Sequence, residues 1–156
     1  MTEESTALAR RPTWDEIWVG FAVSLARRGT CLRLQTSCVL VTGTNRVLST
    51  GYNGAPYGRN HCTEVGCQII NNHCVRATHA EINAISLAAK AGIPLLGSVA
   101  YCLDRPCAPC LNALVQTGVG AVNFVRSEYD PQVNDDVRSI ARDCGITLRR
   151  IAEVRY

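Results

Sequence analysis

Two short segments constrain this chain more than any other feature: His79-Ala80-Glu81 and Pro106-Cys107-Ala108-Pro109-Cys110. Each opens a stretch with a helical pattern, so the fold has to bring two helix starts together. Cysteines at i and i+3 face the same way at the start of a helix, where unpaired N–H groups and the positive dipole end favour thiolate over thiol. A histidine opening another helix supplies a third ligand. His79, Cys107 and Cys110 then leave the fourth position of a tetrahedral zinc ion open, as catalytic rather than structural sites do. Water on such an ion is acidified from a pKa of about 15.7 towards about 7. Glu81, two residues beyond the histidine and not itself a ligand, is placed to move the protons. Each half alone has a plainer meaning. Cys-x-x-Cys is more often a structural hook or a redox pair, and Thr78-x-x-Glu81 reads as a capping box.

The remaining pattern alternates strands and helices. Thr13-Trp-Asp-Glu16 has the form of a capping box, and Trp14, Ile17, Trp18, Phe21 and Leu25 recur at helical spacing, with Gly29 as a stop. Residues 36–42 and 46–52 are β-branched runs around a Gly-Thr-Asn turn, which predicts a hairpin. Residues 53–77 show little periodicity and are expected to form a long loop, of the kind that usually carries function. A helix follows from the Thr78 cap to Gly92, then a strand over 98–103, a helix over 107–117, a strand over 121–125, a helix over 131–144 and a strand over 146–154. The expectation is one α/β domain over 12–156, a mixed sheet of about five strands with helices on both faces, preceded by a loose tail over 1–11.

Composition narrows the function classes. The formal charge is +3, carried almost wholly by arginine, and the arginine pairs are too scattered for the basic stripe of a nucleic-acid binder. A small anionic ligand suits them better. No apolar stretch approaches the roughly 20 residues of a membrane span, and the polar, acidic start is unlike a secretory signal, so a cytoplasmic protein is expected. In a reducing compartment the nine cysteines are unlikely to be a disulfide framework and must be shared among metal binding, catalysis and burial.

His-x-Glu with Pro-Cys-x-x-Cys is the signature of zinc deaminases acting on C4 of cytosine or C6 of adenine. Together with Arg11-Pro-Thr-Trp-Asp-Glu16, Arg28-Gly-Thr-Cys-Leu-Arg33, the 49–58 stretch Ser-Thr-Gly-Tyr-Asn-Gly-Ala-Pro-Tyr-Gly and His61-Cys62, it makes most of residues 11–130 resemble the deoxycytidylate deaminases. The resemblance implies a three-layer α/β/α sandwich, zinc-dependent hydrolysis of dCMP to dUMP and ammonia, and a homo-oligomer, a hexamer in this family. It also implies dCTP and dTTP as effectors. It places Asn53 against the nucleotide, although beside Gly54 an asparagine is equally a turn residue. An aromatic residue late in the chain beside the base is matched best by Tyr129. Arg28 and Arg33, flanking Cys31, are the candidates for the phosphate.

A second, structural zinc is expected on Cys31, Cys62, Cys67 and Cys74, because the 53–77 loop has too few apolar residues to order itself by burial. Other deoxycytidylate deaminases resemble this chain in carrying a second zinc there. Its ligands vary, so His73 is the main substitute for the fourth position and His61 a lesser one; free buried thiols are the plain alternative. Two competing functions fit the same residues. One keeps the chemistry and changes the substrate to a free nucleoside, guanine or tRNA adenosine. The other is a zinc-stabilised interaction module without catalysis, which has no use for Glu81.

Overall fold

Thr13 opens the first helix as the sequence predicts. Its Oγ accepts the Glu16 N–H at 3.2 Å and its own N–H donates to the Glu16 carboxylate at 2.6 Å. The Arg10 guanidinium, together with the Thr13 N–H, holds Glu16 down at about 2. The structure, a computed structural model, describes residues 10–127 and 131–152, with the backbone alone at 131–134. Helix α1 (Trp14–Ala26) buries Trp18, Val19, Ala22 and Ala26. The periodic trio Trp14, Ile17 and Phe21 lies on its outer side, 44%, 38% and 38% exposed. The helical spacing was legible, but the buried stripe is rotated towards the small residues, which let the helix sit close to the sheet.

The main sheet contains β1 (Ser37–Val41), β2 (Val47–Tyr52), β5 (Val99–Asp104), β6 (Ala121–Arg126) and β7 (Thr147–Arg150) in the order β2-β1-β5-β6-β7. β1 pairs antiparallel with both neighbours, whereas β5-β6 and β6-β7 are parallel. The sheet is therefore mixed. β1 is buried along its whole length, and its alternation sorts the core. Cys38 and Leu40 face one layer with Ala100, Cys102 and Val122, while Val39 and Val41 face α1 with Tyr101. The first layer is covered by α3 (Ala80–Ala91), α4 (Ala108–Gln116) and α5 (Pro131–Asp143). This is the expected α/β/α sandwich. The final strand, expected over 146–154, ends at Arg150 among the described residues, and positions 153 and 154 lie outside them. Among the described residues no helix is long and apolar enough to cross a membrane.

Two departures from expectation bear on function. The 53–77 stretch has structure of its own: a short helix α2 (Cys62–Val65) and a two-stranded ladder of β3 (Ile69–Ile70) and β4 (His73–Cys74). Elements of two to four residues carry no readable periodicity. Thr78, in turn, does not cap α3; the N-cap is His79, which makes no side-chain cap bond. The Asn53 side-chain oxygen, from beyond the end of β2, accepts the Ala80 N–H at 2.9 Å instead. Thr78 is engaged through its backbone in a bridge to Gly54.

Small residues set the height of α3 above the sheet. A Cβ on Gly51 would meet the Ala80 carbonyl oxygen at 2.1 Å and the Ala84 nitrogen at 2.4 Å, so only glycine allows β2 this close to the helix start. The Ala80, Ala84 and Ala88 stripe completes the contact, and the Ser49 hydroxyl donates to the Ala84 carbonyl at 2.7 Å.

Candidate metal and catalytic centre

The packing of α3 and α4 against one end of the sheet brings their N-termini together. His79 caps α3 and Cys107 caps α4, with Pro109 in the first turn of α4. Proline suits that turn, where its missing N–H would have no helical partner. His79 Nδ1 lies 3.5 Å from Cys107 Sγ and 3.3 Å from Cys110 Sγ. Three potential ligand atoms thus come within one ion's reach, as the sequence spacing predicts. A tetrahedral zinc with bonds of about 2.3 Å to sulfur and 2.0–2.1 Å to nitrogen spaces its donors by about 3.5–3.8 Å, so the donor set fits the ion.

The electrostatics favour ligation. Hydrogen bonds from the Cys110 thiol and His79 outweigh burial and bring Cys107 down to about 4, while Cys107 and burial push Cys110 up. The Cys107 thiolate in turn raises His79, against the effect of burial.

Glu81 is 6% exposed. Burial, and less strongly the Cys107 charge, push its carboxyl up to about 7. A bound cation would oppose that rise. A cavity of about 790 Å³ opens over His79, Glu81, Cys107 and Cys110 and is lined further by Asn53 and Arg33. Its volume suits a small organic ligand.

The phosphate candidates separate. Arg33 lines the cavity, but its guanidinium donates to the Asn72 carbonyl at 2.7 Å and side-chain oxygen at 3.2 Å. Arg28 is exposed and lies off the cavity lining. Asn53 reaches the cavity while its amide bridges the Leu34 carbonyl and the start of α3, so it also fixes the frame. Tyr129 lies outside the described residues.

The second cluster assembles as expected. Ligand atoms of Cys31, Cys62, Cys67 and Cys74 all lie within 4.8 Å of one another, with Cys62 Sγ and Cys74 Sγ 3.6 Å apart. Burial opposes the Cys74 thiolate, yet the Ala77 and Arg76 N–H groups and the neighbouring thiols bring Cys74 down to about 6. Such N–H···S bonds stabilise a thiolate ligand. Four sulfurs satisfy a closed tetrahedral site. Neither histidine belongs to this group. His61 Nδ1 is 2.9 Å from the Thr30 hydroxyl, and the His73 ring turns to His79. Of the other cysteines, Cys38 and Cys102 are core residues facing each other across β1 and β5, and Cys144 is exposed.

Sequence reasoning missed Asp104, a buried carboxylate at the end of β5 that lines the cavity and accepts from Arg126 Nη2 at 2.6 Å. A carboxylate three residues ahead of the first cysteine was the available signal. It also missed the contact between His73 and His79, for which no local signal exists.

Comparison with known proteins places this geometry in context. Residues 12–126 match the model of the cytidine and deoxycytidylate deaminase zinc-binding region. ComE operon protein 2 of Bacillus subtilis is 31% identical over 90% of this chain and 72% of its own length. A deoxycytidylate deaminase of Saccharomyces cerevisiae is 32% identical over 96% of this chain, which spans about half, 48%, of that longer protein. The fold is shared with dCMP deaminase from the cyanophage S-TIM5, solved in complex with dCMP and dUMP, at a TM-score of 0.76 and 24% identity, covering 92% of this chain and 100% of that one.

Proposed function

The chain belongs to the cytidine and deoxycytidylate deaminase family, and from that premise we propose that it hydrolyses dCMP to dUMP and ammonia. The observation that carries the proposal is the meeting of His79, Cys107 and Cys110 beside a buried Glu81 in one cavity. Zinc is the ion this donor set would hold, and when bound it supplies the Lewis acidity that makes water a nucleophile at neutral pH.

Glu81 does the proton work. Its carboxylate takes a proton from the attacking water as the oxygen bonds to C4 of the base. It passes that proton to ring N3, then takes the second proton from the new C4 hydroxyl and delivers it to the amino group, so that C4=O forms, the C4–N bond breaks and neutral ammonia leaves. A buried carboxyl that accepts a proton in one step and donates it in the next serves as both base and acid within one cycle.

Asn53 and Arg33 form the polar wall at which the sugar and phosphate would be held. The four-cysteine cluster is the seat of a second, structural zinc that orders the segment forming this wall. The family resemblance extends the proposal to a homo-oligomer, a hexamer, and to dCTP and dTTP as effectors. Sedimentation and rates measured with and without each nucleotide test those two points.

The discriminating assay is ammonia release from dCMP, CMP, deoxycytidine and guanine. The proposal expects dCMP to be the preferred substrate. Each charge-assisted phosphate contact contributes about 1.5–3 kcal/mol, so kcat/KM for deoxycytidine should be at least about tenfold lower. Equal efficiency on dCMP and deoxycytidine would contradict a nucleotide enzyme, and turnover of guanine alone would move the chain to another branch of the chemistry.

A further inference from the structure

His79 turns Nδ1 to the two thiols, which leaves its other ring nitrogen to be accounted for. That Nε2 lies 3.1 Å from Nε2 of His73, with the rings 5.0 Å apart at 49°. His73 comes from the segment that carries the other cluster, one residue before Cys74 in β4.

The local chain is built to hold it there. Ile70 pairs with His73 across a two-residue turn, and both turn residues have positive φ, Asn71 at 48° and Asn72 at 59°. This is the type I′ geometry that tight hairpins favour, and asparagine tolerates it. Arg33 fastens the turn from outside, through the carbonyl and the side chain of Asn72. The Cys74 sulfur fastens it from below, 3.6 Å from Cys62. With the hairpin anchored on both sides, the His73 ring is delivered over His79 and away from the cysteine cluster.

An imidazole that ligates through Nδ1 keeps its remaining proton on Nε2, and metal-bound histidines almost always donate that proton to a nearby acceptor. We propose that His73 is the positioning residue of His79. Its Nε2 accepts the His79 Nε2–H, which fixes the tautomer and ring plane that present Nδ1 to the ion. His73 then carries its own proton on Nδ1. The device joins the two clusters, because the hairpin that offers His73 is held in place by the cysteines. The inference rests on the reading that His79, Cys107 and Cys110 hold a metal.

The test is zinc affinity, read by chelator competition on the full chain, with the relevant ion identified by its loss in a Cys110→Ser variant. Replacing His73 by Phe fills the volume without an acceptor and should weaken this ion by about 10–100-fold, the usual effect of losing such a partner. Replacing it by Gln, whose amide oxygen can accept, should restore most of the affinity. The His79 Nε2–H signal in nitrogen-correlated NMR should be protected from exchange in wild type and His73→Gln and lost in His73→Phe. Cys62→Ser, which removes one anchor of the hairpin, should weaken the same ion in the same direction. Unchanged affinity in His73→Phe, or a Gln variant no better than Phe, would overturn the inference alone. A wild-type chain holding no ion that Cys110→Ser removes would overturn the reading and the inference together.

Discussion

The two cysteine clusters use nearly the same donor chemistry but stand on opposite kinds of support. His79, Cys107 and Cys110 sit on two helix N-termini pressed against a buried sheet, and Gly51, the alanine stripe and Asn53 decide where those termini lie. Cys62, Cys67 and Cys74 sit in a segment whose regular elements are two to four residues long, with Val65, Ile69 and Ile70 half exposed, and Cys31 meets them from the stretch between α1 and β1. In the first region the fold places the ligands; in the second the ligands place the chain. The first can therefore leave a coordination position open for reaction, because its geometry does not depend on filling it. The second needs all four donors, since an ion bound there contributes folding free energy directly.

The largest effect expected on this comparison is chemical. Glu81→Gln should lower kcat by at least the 10²–10⁴-fold that a general acid–base group typically contributes, roughly, while zinc content and circular dichroism stay as in wild type. A variant that kept more than about a tenth of the activity would remove Glu81 from the mechanism. Because the carboxyl is not a ligand, the loss should fall on turnover and leave the metal in place.

Next comes the frame. Gly51→Ala puts a methyl against the Ala80 carbonyl and the Ala84 nitrogen, both backbone atoms that cannot rotate away. Overpacking of this kind costs about 1–3 kcal/mol, and the displaced helix start carries His79 and Glu81 with it. Denaturant unfolding should show the loss of stability and the assay a loss of rate. A fully active, fully stable Gly51→Ala protein would mean that the sheet does not hold the first cluster.

Cys62→Ser should act differently. Metal analysis should find two zinc ions per wild-type chain and one in the variant, with the sheet intact and the substrate wall loosened. KM for dCMP should rise more than kcat falls, because Cys62 touches no reacting group. A single ion in the fully occupied wild type would reject the second site.

The smallest effect belongs to the tertiary cap. Asn53→Ala removes the acceptor for the Ala80 N–H and should cost about 0.5–2 kcal/mol, the range for an N-cap. If the substrate also contacts Asn53, KM rises more than that loss of stability would produce, and thermal unfolding beside kinetics separates the two roles.

The contrast between the regions also decided what could be read from the chain beforehand. Thr13 with Glu16, the 36–52 hairpin and the two ligand segments are local patterns, and each sits where its pattern places it. Asn53 as the cap of a helix 27 residues later is a tertiary arrangement, so the nearer Thr78 looked the better cap. The ladder between Ile69 and Cys74 is too short for any period to show. Its turn residues, two consecutive asparagines, were the one local hint. The buried stripe of α1 runs through Trp18, Val19, Ala22 and Ala26, so two alanines join it in place of Trp14, Ile17 and Phe21, which an apolar-period reading ranks higher.

Amide hydrogen exchange on zinc-loaded and zinc-stripped protein tests the contrast most directly. Stripping should expose the amides of residues 59–77 while those of 80–91, 99–104 and 108–116 stay protected, because packing on the sheet, and not a metal, holds those helices and that strand. Equal loss of protection in both regions, or a loop that stays protected without metal, would contradict it.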